Sequence, residues 1–199
     1  MKNNKMNVLF LSNMIAEKGV WTIVEAAKIL HEKNLLVEFH FVGKWSDITE
    51  DMFFHAMKEF HLEDVCFAHG GKYGKEKDGF WAAADVFVFP TFYHNECFPL
   101  VLLEAMEHGV ACISTTEGGI PGIIDDGKTG FLVPKHDVAV LADKIQLLLN
   151  DPVLRSNMGN AGREKFEKEF TLEVFEKRMT WILEHSVYPI FSRMGIDRD

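Results

Sequence analysis

Glu96 and Glu104 are separated by seven intervening residues in the segment Glu96-Cys97-Phe98-Pro99-Leu100-Val101-Leu102-Leu103-Glu104. Pro99 opens an apolar stretch that runs to His108 and stops at Gly109. Proline in the first turn and glycine past the end are the expected asymmetry of helix termini. The first carboxylate therefore precedes a helix and the second lies within it. Glu104 is flanked by Leu102, Leu103, Ala105 and Met106, so its carboxylate needs a partner. A ribose diol supplies two O–H donors to such a group, and the unpaired N–H groups near Phe98, Leu100 and Val101 can hold a diphosphate. A structural pairing of Glu104 with a lysine is the plainer alternative.

Other groups suited to phosphate chemistry follow short apolar runs. Lys18-Gly19 follows the run from Val8, Gly43 follows Val37–Val42, Gly70 follows Val65–Ala68, and Gly118-Gly119 follows Ala111–Thr115. Glycine lets a backbone approach a phosphate closely. After the first run, Ser12–Gly19 reads SNMIAEKG, which is neither the GxGxxG of dinucleotide sites nor a Walker A sequence. This argues against a dinucleotide-dependent oxidoreductase and for a nucleotide held by other means. Lys18 offers a point cation to a diphosphate, and Asn13 offers hydrogen bonds without charge.

The elements that must position these residues alternate along the chain. Strands are predicted at Val8–Ser12, Val37–Val42, Val65–Ala68, Val86–Phe89, Ala111–Thr115 and Gly130–Val133, from short apolar or alternating runs with turn signals. Helical spacing is found at Val20–Glu32, Thr49–Phe60, Lys75–Ala84, Pro99–His108, Asp137–Asn150, Pro152–Lys168 and Leu172–His185, followed by a peripheral tail from Tyr188. Phe53, Phe54, Phe60, Phe80, Trp81, Phe87 and Phe89 are expected in the core. This alternation implies an α/β fold, a Rossmann-like doubly wound parallel sheet of about six strands with C-terminal helices. In such a sheet ligands bind outside the carboxyl ends of the strands. Ser12–Gly19, Gly43–Asp47, Gly70–Gly74, Thr91–Pro99 and Thr116–Pro121 then face one crevice.

Composition narrows the function classes. The 199 residues suit a single domain spanning 1–199, and 47% hydrophobic with 26% charged residues is ordinary for a folded globular chain. A net charge of −9 disfavours generic attraction to nucleic acid or to anionic membrane, so any phosphate must be held locally. The uncharged stretch Val86–Asn95 is far short of the ~20 apolar residues of a membrane span. Asn7, Ser12 and Asn13 interrupt the run that follows Lys2 and Lys5, unlike a signal peptide. Cys66, Cys97 and Cys112 are odd in number and widely spaced, which fits reduced thiols and a cytoplasmic location better than a disulfide framework or a zinc site.

The fragments EKG at Glu17–Gly19, ADVFVFPT at Ala84–Thr91, ECFPLVLLEAM from Glu96, EGGIP from Glu117 and DGKTGFLV from Asp126 together resemble the retaining glycosyltransferases of family 4. The resemblance spans nearly the whole chain, and E-x7-E in its strand-loop-helix setting is its most specific part. It implies the C-terminal, donor-binding half of a two-domain GT-B enzyme that transfers a hexosyl-type group from a uridine or guanosine diphosphate sugar. By this likeness Glu96 lies near the donor sugar, Glu104 holds the ribose, and Lys18 faces the diphosphate with Asn13, Gly19, Gly43, Gly70, Gly118 and Gly119 nearby. No cofactor or metal is implied. An N-terminal acceptor-binding domain is expected in the complete enzyme, to which peripheral membrane association is open. Two positions depart from the family pattern: Asn13 replaces a common arginine, and Gly122 replaces the acidic residue of GGxPE. These departures leave room for a second reading, a non-catalytic nucleotide-binding or interaction module built on the same fold.

Overall fold

The computed structural model describes residues 5–193, with side chains to residue 185. Six strands form one parallel sheet: β1 (Met6–Leu11), β2 (Val37–Val42), β3 (Cys66–Ala68), β4 (Val86–Phe89), β5 (Ala111–Thr115) and β6 (Gly130–Val133). Their order is β3-β2-β1-β4-β5-β6. The chain thus winds outward from β1 in one direction and from β4 in the other, which opens a crevice at the carboxyl ends between those two strands. β1 is in register with β2 from Met6↔Val37 to Leu11↔Val42, whereas β1 and β4 share only Val8↔Val86 and Leu9↔Phe87. Beyond this short pairing the two chains diverge into the loops that carry Lys18 and Glu96.

Between the strands run α1 (Val20–Glu32), α2 (Glu50–Glu59), α3 (Lys75–Ala83), α4 (Leu100–Glu107), α5 (Ile120–Ile123), α6 (Val138–Asn150), α7 (Pro152–Glu169) and α8 (Leu172–Arg193). Several starts are fixed by side-chain caps. Thr49 accepts from the Met52 N–H at 3.3 Å, Asp137 from Val140 at 3.0 Å, and Asp151 from Leu154 at 2.8 Å with Pro152 at the first helical position. Each cap satisfies a donor that the helix itself cannot. Thr49, Pro99 and Asp137, expected as first helical residues, are therefore caps lying just outside their helices. At the first strand, Ser12 falls past the end of β1, although its N–H still donates to Val42 at 3.1 Å.

Two differences from expectation are larger. The four-residue α5, with Pro121 near its start, is too short to register as a period in the sequence. α8 continues through Arg193 instead of stopping at His185, so the predicted tail from Tyr188 begins inside a helix. The rest of that tail, 194–199, lies outside the described residues. Among the described residues no helix is long and apolar enough to cross a membrane.

Aromatic rings fill much of the core. Phe10 packs on Phe41 at 5.7 Å, Phe41 on Phe53 at 5.1 Å, and Trp81 on Phe87 at 5.0 Å between centroids. Burial of each such ring contributes about 1.5–3 kcal/mol. Phe53, Trp81, Phe87 and Phe89 are buried as predicted, but Phe54 is 41% exposed and lies edge-on to Trp45, and Phe60 and Phe80 are half-buried. α2 lies near the edge of the sheet, where only one face of the helix is covered. Cys66 and Cys112 are buried free thiols whose pKa burial pushes up to about 12, and Cys97 is exposed.

Candidate nucleotide-sugar site

Lys18 ends a single 3-10 turn, Ala16–Lys18, that Gly19 closes with φ +88°. A side chain at Gly19 would put its Cβ 2.4 Å from the Pro90 carbonyl oxygen, so only glycine lets this turn rest on the end of β4. The Phe92 N–H and the Thr91 hydroxyl both donate to the Glu17 carbonyl, at 2.8 and 3.3 Å. These bonds lock the β4 loop to the β1 loop. Within that junction Lys18 forms an ion pair with Glu96, the two side chains being 14% and 10% exposed. The ammonium also lies 4.4 Å from the Tyr93 ring centroid and 5.6 Å from that of Phe89. Two residues that the family likeness assigned to the donor sugar and to the diphosphate thus meet each other across 78 positions of chain. The exposed His94 stands 3.6 Å from Glu17 on the rim.

Glu104 accepts from two groups on α3, Lys77 Nζ at 2.9 Å and Trp81 Nε1 at 3.2 Å. The lysine pairing weighed from the sequence is therefore present, but both side chains stay about one-third exposed and open to a ligand. At the start of α4, Pro99 provides no side-chain cap. Phe98 and Leu100 are 45% and 66% exposed, and Val101 is half-buried. This end of α4 faces outward with its first donors uncapped.

The glycines of the crevice hold its loops together. Gly119 donates its N–H to the Cys97 carbonyl at 2.8 Å, and a Cβ on Gly118, at φ +51°, would fall 1.5 Å from the Glu96 carbonyl oxygen. Gly43 donates to the Gly70 carbonyl at 3.0 Å and lies against Ser12, whose carbonyl oxygen would be 1.7 Å from a Cβ there. The N–H groups of Gly43 and Gly119 are thus used inside the chain, and the need for glycine at these positions comes from loop-on-loop packing. Gly70, at φ +68°, has open space where a side chain would project. Asn13 is exposed, and its side chain makes no hydrogen bond among the described residues.

The sequence reading did not single out Lys77, Trp81, Tyr93 or the Glu117–Lys135 ion pair on the neighbouring loop. The hydrogen bond from Lys135 holds the Glu117 carboxyl below its ordinary range. For Lys77 and Trp81 a signal existed, since residues four apart share one helix face. Among the described residues no three His, Cys, Asp or Glu side chains converge as a metal site. Two concavities lie away from the crevice: a 970 Å³ groove near Met6, Leu36 and Arg155, and a 620 Å³ cavity under α3 lined by Asn7, His40, His69 and Phe80. The crevice itself lies at the carboxyl ends of the central strands β1 and β4.

The fold agrees with the comparisons to known proteins. The sequence model of glycosyl transferases group 1 matches residues 1–165. The chain belongs to that family. It is 35% identical over 168 residues to N-acetyl-alpha-D-glucosaminyl L-malate synthase of Bacillus anthracis, covering 83% of this chain and 42% of that one. It is 27% identical over 192 residues to the capsular polysaccharide biosynthesis glycosyltransferase CapM of Staphylococcus aureus, covering 95% and 47%. Among solved structures, Anabaena HepE in complex with UDP and glucose superposes with a TM-score of 0.81 at 19% identity, over 91% of this chain and 48% of that one; this supports the GT-B type of fold. This glycosyltransferase domain spans less than half the length of the curated relatives named here.

Proposed function

We propose that the chain is the donor-binding, C-terminal half of a retaining family 4 glycosyltransferase, which takes a uridine or guanosine diphosphate sugar and passes a hexosyl-type group to a glycan, lipid or other acceptor. The observation that carries this reading is the pair of carboxylates eight positions apart, each held by a lysine from another loop or helix: Glu96 by Lys18 and Glu104 by Lys77. Glu104 accepts from the ribose hydroxyls, Glu96 lies by the sugar, and Lys18 meets the diphosphate. As the bond from the anomeric carbon to the diphosphate breaks, negative charge grows on the departing oxygen. A positioned cation and the first N–H groups of α4 stabilise that charge in place of a metal. Lys18 arrives already paired, so diphosphate binding exchanges one anionic partner for another. The capsular polysaccharide enzyme among the relatives and the structural neighbour holding UDP and glucose favour a nucleotide-sugar donor and polysaccharide synthesis.

Calorimetry with UDP and GDP, with and without EDTA, tests the reading. Heat of binding from one of them, unchanged by EDTA, is expected, and no heat from either at millimolar concentration would sink it. A second reading, a non-catalytic module on this fold, draws on the neutral Asn13, exposed at the crevice where the family's arginine is common. Sugar transfer on pairing the chain with an acceptor domain would exclude that second reading.

A further inference from the structure

Both donors to Glu104 act on the same oxygen. Lys77 Nζ and Trp81 Nε1 meet Oε2, and Oε1 takes no hydrogen bond among the described residues. The two donors differ in stiffness. Trp81 is 1% exposed, packed on Phe87 and stacked on His108 at 5.6 Å and 19°. His108 is in turn bonded through Nδ1 to the backbone carbonyl of Glu104, at 2.9 Å. The indole can only donate, and its ring has no room to turn, so it fixes where Oε2 must be. Lys77, one turn earlier on α3, adds a charge-assisted bond to the same atom. A carboxylate clamped at one oxygen and open at the other presents an acceptor of fixed direction.

We infer that Lys77 and Trp81 are positioning residues for Glu104, and that through it they set the preference of the crevice for ribonucleoside over 2′-deoxyribonucleoside diphosphates. The inference rests on the donor-site reading above. A free carboxylate side chain has several rotamers and would lose part of its binding energy in ordering itself against a diol. The clamp removes that loss before the nucleotide arrives. The gain applies only to a ligand whose hydroxyls reach Glu104, and hence to the ribose and not to the diphosphate.

The test compares UDP with 2′-deoxy-UDP, and GDP with 2′-deoxy-GDP, by calorimetry on the 199-residue chain and its Lys77→Met, Lys77→Gln and Lys77→Arg variants, with thermal melting to monitor folding. The wild type is expected to prefer the ribonucleotide about tenfold, the size of one charge-assisted hydrogen bond. In Lys77→Met that ratio falls to within about threefold of unity because ribonucleotide affinity drops further than that of the deoxynucleotide, which has only its 3′-hydroxyl to offer Glu104. Lys77→Arg keeps the wild-type ratio, and Lys77→Gln, which retains a donor without charge, falls between. Equal losses for both nucleotides would mean that Lys77 touches the diphosphate or merely supports the fold, and would overturn the inference. So would tighter binding in Lys77→Met, which would make Lys77 a competitor of the ribose, or a wild-type ratio near one. Failure of the wild type to bind UDP or GDP overturns the donor site itself, a result distinct from normal binding with an unaltered ratio in Lys77→Met.

Discussion

Replacing Glu104 with Gln keeps the side chain's size and removes the charge that two donors and a ribose would share. Losing a charge-assisted hydrogen bond costs about 1.5–3 kcal/mol, tenfold or more in affinity, so the Kd for UDP or GDP measured by calorimetry should rise at least that far. An unchanged Kd in a folded Glu104→Gln protein would remove this residue from the site. A second prediction concerns two histidines away from the crevice. His40 Nδ1 and His69 Nε2 are 3.0 Å apart under α3, with Asn7, Glu38, Lys72 and Phe80 around them. Burial lowers the pKa of His40 against a smaller opposing pull from Glu38; burial, His40 and Lys72 lower that of His69. The unfolded chain therefore takes up protons at higher pH than the folded one. Stability from this pair is complete well above pH 6.5, the ordinary value, and declines as pH falls through it toward the lowered folded values. Urea midpoints should drop between about pH 7 and 5, and a His69→Asn variant should show a shallower decline. Much of this residue-scale detail was hidden in the sequence. The Glu96–Glu104 spacing is local and legible, but Lys77 is 27 positions from Glu104 and Lys18 is 78 from Glu96. Only the fold brings such pairs together.

At the scale of elements, the loop that carries Glu96 depends on the turn after β5. A methyl group on Gly118 would both occupy the Glu96 carbonyl's place and force a left-handed residue to bear a side chain. Gly118→Ala should cost about 1–3 kcal/mol in urea unfolding, and its affinity for UDP or GDP should fall as the loop carrying Glu96 shifts. Gly79, inside α3, is the opposite case, because a Cβ there meets nothing within 4 Å. Gly79→Ala should raise stability by about 0.4–1 kcal/mol by narrowing the unfolded ensemble. A loss of stability would mean that α3 needs its glycine for another reason. The strands and longer helices were readable because apolar periodicity and punctuation by Gly, Pro, Thr and Asp agree along the chain. The sequence also pointed to Gly118-Gly119, but as ligand-facing backbone. A glycine required by a phosphate and one required by a neighbouring loop look alike until the loop's position is known. α5 escaped notice because four residues hold barely one turn, and the length of α8 because its exposed Leu172, Phe175, Trp181 and Leu183 do not make one clean stripe.

At the scale of the whole molecule, the described residues build one wall of the crevice. Residues 1–199 by themselves are expected to bind a nucleoside diphosphate yet glycosylate no acceptor, because holding two substrates in line needs a second surface. Mass spectrometry with a nucleotide-sugar and candidate acceptors checks this, and robust product from the chain alone would show that the acceptor binds on this half. The doubly wound class was the most legible feature of all, since strand and helix alternate from Met6 to Thr115. The internal pairing of the crevice's cations has a kinetic consequence. Lys18, Lys77 and Lys135 are each matched to a carboxylate before any ligand arrives, so apart from Lys44, which lies over the Tyr73 ring, an approaching nucleotide meets little local positive field, while the chain as a whole carries −9. Long-range repulsion then governs the encounter, and dissolved ions shield it over about 10 Å at 0.1 M. Raising salt from about 20 to about 200 mM should therefore speed the association of UDP in stopped-flow measurements, the reverse of the slowing usual for a basic phosphate pocket. The nucleotide would be captured by short-range exchange of ion partners after diffusing in against the field.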